Sequence, residues 1–287
     1  MRVMLLGATG MLGRDLAATA PSTVHVTPLS RAELDITDAQ ALARAVRKIE
    51  PDVIMNAAAY TLVDRAESER RLAFLVNSDG VGAIGDTAMA IGAVVVHFSS
   101  DYVFDGTSDR PYREDAPTNP VNAYGESKLA GEARLAQSGA DYLLVRTQWL
   151  FGVNGRSFPR TMWERARRGE ATRVVADQIG RPTYATDLAA GVWRLLAGGA
   201  RGVFHLTNAG SATWHDVAQR IFSALGPSHL LSACTSADYP TPARRPRYSV
   251  LDTRKAEQTL CGALAPWAEA LDRFLHQLDA TQPAQRS

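Results

Sequence analysis

The chain's 287 residues suffice for one large domain or two of ordinary size. At 46% hydrophobic and 21% charged it has the balance of a folded globular chain, which excludes wholesale disorder. Thirty-one basic side chains meet thirty acidic ones, a net charge of +1, and this argues against binding nucleic acid or a membrane surface through bulk charge. No apolar run approaches the roughly 18 residues that cross a bilayer.

Met1-Arg2 ahead of Val3-Met4-Leu5-Leu6 starts like a secretion signal, but Gly7 interrupts it long before an apolar core could form. Cys234 and Cys261 are too few and too far apart for a disulfide framework or a cysteine zinc site. The expectation is a reducing cytoplasm with both thiols free.

In chain order, residues 2–6 predict a buried strand and 11–20 a helix closed by Pro21. Residues 24–29, β-branched, predict a second strand. Over 38–49, Ala41, Leu42, Ala45, Val46 and Ile49 recur at helical spacing, with Thr37 or Asp38 as the cap and Pro51 just beyond. Residues 53–56 predict a third strand, and 68–89 a helical stretch broken in its middle. Residues 94–98, nearly all β-branched or aromatic, predict a central strand. A long helix is expected over 120–136 and another buried strand over 141–146. Near-continuous apolar strands alternating with helices predict an α/β fold of Rossmann type. Its doubly wound parallel sheet is covered on both faces, and its ligands sit beyond the carboxyl ends of the strands.

Past residue 150 the rhythm loosens. Helices are expected at 158–168, 186–196 (opened by Thr186 or Asp187), 214–225 and 265–278, and strands at 173–177 and 203–206. Residues 239–248 hold three prolines and three arginines and predict a loop. Residues 1–150 are therefore expected to bind a dinucleotide and 151–287 to form a smaller mixed α/β substrate lobe, with elements near 186–206 returning to the first part. Residues beyond Leu278 are expected to fray.

Gly7-Ala8-Thr9-Gly10-Met11-Leu12-Gly13 lies where the first strand meets the first helix. The first glycine permits a tight turn, the second lets backbone approach a pyrophosphate, and the third lets the helix press on the strand. The helix start adds unpaired N–H groups and a positive dipole end. No carboxylate is read at the end of the second strand, where an NAD site grips the ribose 2′-OH. Ser30 and Arg31 suit a 2′-phosphate instead, so NADPH is expected, with NADH possible. Asp35 falls nearer the adenine.

Tyr124 and Lys128, four apart on a helix, share one face. An ammonium within reach lowers a phenol's pKa, giving an acid/base workable near neutrality. The central strand ends in Ser99-Ser100-Asp101-Tyr102, where a hydroxyl can donate to a substrate oxygen. Asn56-Ala57-Ala58-Ala59 ends the third strand on the same edge, with small side chains that let a flat cofactor lie against backbone.

With residues 51–69, 100–106, 122–132, 146–149, 180–183 and 239–246, this set resembles the extended short-chain dehydrogenase/reductases over almost the whole chain. Within them it is similar to the branch that reduces the C4 ketone of a dTDP-linked 4-keto-6-deoxyhexose, dTDP-4-dehydro-6-deoxy-L-mannose. The resemblance implies that Tyr124 delivers the proton, Lys128 holds the nicotinamide ribose and tunes the tyrosine, and Ser100 polarises the carbonyl. The commonest family residue at position 100 is threonine; serine keeps the hydroxyl but loses the methyl that restricts its rotamer. Val63, Tyr102 and Trp149 match positions near the sugar, Asp35 and Ile36 the adenine edge, and Ala57, Ala58 and Thr61 the cofactor strand end. Arg181, Arg244, Arg245 and Arg247 are candidates for the substrate diphosphate. Some members dimerise around a divalent cation. Asp15 could supply one ligand, but Thr186 stands where another acid is expected, so no metal is predicted, and a homodimer is possible. Another dTDP-4-keto-6-deoxysugar reductase of antibiotic or glycan assembly is the alternative, and a non-catalytic NADP-binding regulatory subunit a more distant one.

Overall fold

The computed structural model describes residues 1–281. Val3, Met4, Leu5 and Leu6 leave no polar face, so strand β1 (Arg2–Leu6) is buried on both sides. Around it forms a six-stranded parallel sheet with β2 (His25–Leu29), β3 (Val53–Asn56), β4 (Val94–Ser100), β5 (Tyr142–Thr147) and Gly202–His205. From one edge to the other the order is Gly202–His205, β5, β4, β3, β1, β2. The chain runs from β1 outward to β2 and then crosses back to β3, so the strand order reverses between β1 and β3, with Leu6 beside Asn56. A crevice opens at such a reversal.

Side chains alternate across the sheet. Val3, Leu5, Met55, Val96 and Val145 face helices α1 (Met11–Ala18) and α8 (Ala185–Ala197) through Leu12, Leu16, Leu188 and Trp193. Met4, Leu6, Ile54, Val95 and Leu144 face α2 (Ala39–Ile49), α5 (Gly80–Ile91) and α6 (Ala123–Gln137) through Leu42, Val46, Ile84 and Leu135. A separate core gathers Phe151, Trp163, Tyr184, Phe222 and Phe274. It draws on α7 (Phe158–Arg167), α9 (Trp214–Leu225) and the final helix Trp267–Thr281.

Asp38 caps α2, accepting from the Ala41 amide at 2.8 Å. The stretch read as broken over 68–89 is continuous helix from Arg70 to Ile91, carrying a π turn at Leu75–Asp79. That turn aims Asn77 inward. Its amide accepts from Tyr60 N (2.9 Å) and donates to Tyr60 O and Ser127 Oγ (3.0 Å each), so it clamps the loop after β3 to α6. Helix α6 starts at Ala123, not 120, because Asn122 caps it by accepting from the Gly125 amide.

Neither Thr186 nor Asp187 caps α8, which begins at Ala185 without a side-chain cap. Thr186 Oγ1 instead donates to Asp15 (2.9 Å), and Asp187 pairs with Arg273 (2.6 Å). The seven-residue helix Arg254–Leu260 and the strands Leu231–Cys234 and Leu264–Pro266 are too short to leave a periodic signal. Fraying was expected from Asp279 onward, but the final helix runs through Thr281. Residues 282–287 of that expectation lie outside the described residues. No helix among the described residues is long and apolar enough to cross a membrane.

Helix α6 is locked to β5 by a buried ion pair. Arg146 Nε and an Nη donate to the two Glu132 oxygens at 2.9 and 2.6 Å, and its other Nη donates to the Glu114 carbonyl. Breaking such a pair strands a charge out of water. Arg146→Met is expected to cost roughly 3–5 kcal/mol of unfolding free energy, and adding Glu132→Gln should recover part of that loss; urea titration of both variants measures it.

Candidate active site

Gly7 follows β1 directly with φ +72°, and a Cβ there would lie 2.6 Å from the Ala58 amide nitrogen. A side chain at Gly13 would collide with the Gly7 carbonyl. The turn and the β3 end therefore approach more closely than any side chain allows. Ala8 N donates to Leu29 O (3.1 Å) and Ala57 N to Leu6 O (3.0 Å), so β1, β2 and β3 converge on the turn. Gly10 opens α1 with no side-chain cap, leaving its first amides for an anion. Met11 and Leu12 pack behind the turn, and Ile36 is buried against Gly80 beside it. Ala58 N is fixed by Asn56 Oδ1 (3.0 Å), whereas Ala59 and Thr61 stand exposed along the same edge. These residues fit a dinucleotide pyrophosphate.

The end of β2 differs from the expectation. Ser30 N and Oγ both donate to Glu33 (2.7 and 2.6 Å), and Arg31 Nε donates to Asp35 (3.1 Å). A carboxylate does stand there, supplied by Glu33. The turn folds back and puts it three residues beyond the strand-end position where the spacing would place one.

At the carboxyl end of β4, Ser100 and Tyr124 are neighbours, whereas the Lys128 ammonium is turned to the strand backbone. Ser100 is the last β4 residue, and its hydroxyl is near enough to the Tyr124 phenol to favour its ionised form weakly. Tyr102 meets Tyr124 edge-on, with ring centroids 5.6 Å apart. Lys128, only 2% exposed, donates from Nζ to the Phe98 carbonyl at 2.7 Å.

The electrostatics reverse one expectation. Burial pushes the Tyr124 phenol up to about 12, and the neighbouring Asp101 charge adds to this; the Ser100 hydroxyl opposes it weakly. Lys128 is itself pushed down to about 8 by burial. Its ammonium is turned to a backbone carbonyl, so desolvation outweighs any lowering of the tyrosine.

Asp101 was not singled out from sequence, although it adjoins Ser100. It is 1% exposed and accepts from Ser100 Oγ (2.9 Å) and Gln148 Nε2 (3.3 Å), with Ser249 also against it. Burial pushes this carboxyl up to about 6.

Beyond Tyr102 opens a cleft of about 1060 Å³. Arg165, Arg173, Arg244 and Arg245 line it together with the aromatic rings of Phe158, Trp214 and Tyr239. Arg165 and Arg173 were missed because no motif marks them. Arg245 makes a two-pronged pair with Asp64 (3.1 and 2.9 Å), which follows Val63 at the start of helix α3 (Val63–Ala66). Arg247 lines a smaller adjoining pocket with Arg244 and Arg245. Trp149 does not line the cleft but stacks on Trp214, which does, at 3.5 Å. Arg181 does not line the cleft and donates to Thr253 Oγ1 (2.9 Å) near Asp252 and Glu257. Among the described residues no group of three or more His, Cys, Asp or Glu side chains is placed to hold a metal ion.

A glycine turn at the switch point and a strand-end hydroxyl facing a helix-borne tyrosine make this an extended short-chain dehydrogenase/reductase. The comparisons are more specific. The family model described as "RmlD substrate binding domain" matches residues 1–280, and the chain belongs to that family. A dTDP-4-dehydrorhamnose reductase of Burkholderia thailandensis is 41% identical, covering 97% of this chain and 99% of its own. A Streptomyces antibioticus protein named "Probable dTDP-4,6-dihydroxy-2-methyloxan-3-one 4-ketoreductase" is 40% identical over 100% and 99% of the two chains. A solved dTDP-4-dehydrorhamnose reductase of Bacillus anthracis in complex with NADP superposes with a TM-score of 0.93 at 35% identity, covering 96% of this chain and 99% of that one.

The raised Asp101 carboxyl carries a stability consequence. Below about pH 4 the group is protonated folded or unfolded and costs nothing; above about 6 the folded state holds a buried charge. Asp101→Asn is therefore expected to gain stability relative to the parent as pH rises from 4 to 7. The gain is on the order of 3 kcal/mol, and it vanishes at the acid end. Urea unfolding of both proteins across that window checks the sign.

Proposed function

We propose that this chain reduces the C4 ketone of dTDP-4-dehydro-6-deoxy-L-mannose with NADPH, giving dTDP-L-rhamnose, and that NADH serves as a second donor. The observation that carries this is the junction of the Ser100–Tyr124 pair with an arginine- and aromatic-lined cleft through Tyr102. A sugar carrying a nucleoside diphosphate needs both halves of that arrangement. Family membership sets the substrate class.

When bound, the reduced nicotinamide supplies the hydride. The glycine turn Gly7–Gly13 and the α1 amides hold its pyrophosphate, and Ala57, Ala58, Ala59 and Thr61 flank it at the β3 end. Ile36 and Asp35 bound the adenine side. Ser100 and Tyr124 donate to the ketone oxygen, and Tyr124 yields its proton as that oxygen becomes an alcohol. Lys128 holds the nicotinamide ribose. Tyr102 and Val63 bound the sugar, Trp149 backs the cleft wall through Trp214, and Arg165, Arg173, Arg244 and Arg245 face the diphosphate. Residues 1–150 thus serve the cofactor and supply the reacting groups, and 151–287 chiefly the rest of the substrate, with elements near 186–206 returning to the first part. A cytoplasmic setting belongs to this reading, in keeping with free Cys234 and Cys261, and so does a homodimer, which light scattering measures.

The Streptomyces relative, equally similar end to end, favours a second reading: another dTDP-4-keto-6-deoxysugar as substrate. Product identification from a panel of dTDP-4-keto sugars separates the two. A non-catalytic subunit is disfavoured by Ser100 and Tyr124 standing as neighbours at the β4 end.

Tyr124→Phe is expected to lower ketone reduction by roughly 10²–10⁴-fold while the dissociation constant for NADP stays within about twofold. Retained turnover removes the mechanism. Arg173→Ala is expected to raise KM for the sugar nucleotide by about tenfold or more with kcat nearly unchanged, because it removes a charge-assisted bond present before and during the reaction.

A further inference from the structure

Among the described residues, the buried acid beside the reacting hydroxyl has no cation against it. Ser100 Oγ donates to Asp101 Oδ1 at 2.9 Å, and Gln148 Nε2 donates to the other carboxylate oxygen. Ser249 is the third neighbour, itself bound to Gln148 Nε2 at 3.1 Å. All three partners are neutral. The titratable groups facing Asp101 are the Tyr102 and Tyr124 phenols, both held neutral by burial. Lys128, on the helix that carries Tyr124, is turned to the Phe98 carbonyl. Arg245, which faces Tyr102, is committed to Asp64.

A serine hydroxyl has one hydrogen to give. Directed at an ionised Asp101, it is unavailable to a ketone oxygen, and Ser100 can then only accept on its other side. Threonine in this place would meet the same constraint with a stiffer rotamer; in serine the Tyr102 amide, donating to Oγ at 3.2 Å, holds the oxygen, and Asp101 alone decides where its hydrogen points. We propose that Asp101 is a positioning residue that sets the direction of the Ser100 hydroxyl: ionised, it keeps that hydrogen, and protonated, it releases it to the substrate carbonyl. This rests on the reductase reading above. The proton that ends on the product oxygen is still Tyr124's; Asp101 carries the same protonation before and after turnover. Burial without a counter-ion lifts the carboxyl to about 6, which places its titration just on the acid side of neutrality.

The test is the pH profile of kcat/KM for keto-sugar reduction between about pH 5 and 8, with NADP binding followed by fluorescence at each pH. The parent protein is expected to lose at least about tenfold in kcat/KM across a step on the alkaline side, settling on a lower plateau where Tyr124 donates alone. Asp101→Asn removes the titrating group and keeps the shape, so the step disappears. Ser100→Ala removes the hydroxyl being steered, so its step disappears too, at or below the parent's lower plateau. NADP affinity stays within about twofold in both. A merely structural Asp101 predicts a uniform loss with the step intact. A step retained in either variant, or absent from the parent, overturns the proposal. A parent protein that reduces no dTDP-4-keto sugar at any pH removes the reductase reading and this inference with it, and that result is distinct from a retained step.

Discussion

The carboxyl end of β4 gathers a buried acid, a half-buried phenol and a buried ammonium, and burial drives each toward its neutral form. Asp101 and Tyr124 are raised and Lys128 lowered, all with desolvation as the largest cause. His97, one turn of the pleat back, is pushed well below its usual range by burial and by Lys128. Near neutrality Tyr124 is neutral, while Asp101 and Lys128 still carry charge but each lies close to the pH at which it loses it. A charge that develops during reaction is then felt strongly by the few dipoles aimed at it, because little water is present to screen it. The cost is borne by the scaffold, which must keep these groups from reaching solvent.

That scaffold is tied across the whole chain. The proline- and arginine-rich loop, read from sequence as a diphosphate-binding arm, also fastens the catalytic strand. Asn122, the cap of α6, donates to the Arg244 carbonyl, and Gln148 bridges Asp101 to Ser249 while its oxygen takes the Leu251 amide. Arg245 reaches back to Asp64 beside the β3 edge. Residues more than a hundred positions away thus fix the cap of the tyrosine's helix and the acid beside the serine. The cleft wall and the reaction centre share backbone, so displacing one strains the other.

Much of this was legible where local patterns suffice. Apolar strands and a glycine turn are short-range signals, and β1, β3 and the α2 cap at Asp38 fall where those signals put them. Ser100 and Tyr124 were identified by their place at a strand end and on a helix. What sequence could not supply was orientation and long-range partnership. Lys128 sits at the right spacing, yet its ammonium turns to Phe98. Ser30 and Arg31 read as free donors, but the chain folds Glu33 and Asp35 onto them. Arg181 looked like a cleft residue until Thr253, distant in sequence, was seen to hold it. Asp101 was passed over because a carboxylate in a strand-end turn is ordinary, and only its burial without a cation makes it unusual.

Trp149 shows how the two halves are held in register. It follows β5 with φ +48°, a backbone state that costs a bulky residue on the order of 1–3 kcal/mol. Its indole lies flat on Trp214, which opens α9, is held by Gln178 (3.1 Å), and faces the cleft. The space exists because residue 180 is glycine: a Cβ there would sit 2.5 Å from the ring. Such strain persists only where the surroundings over-determine it, and here three segments distant in sequence do so at once. The joint stands where the sheet edge gives way to the cleft wall. The strained turn therefore links the strand that pairs with Ser100, through Thr147, to the aromatic surface that lines the cleft.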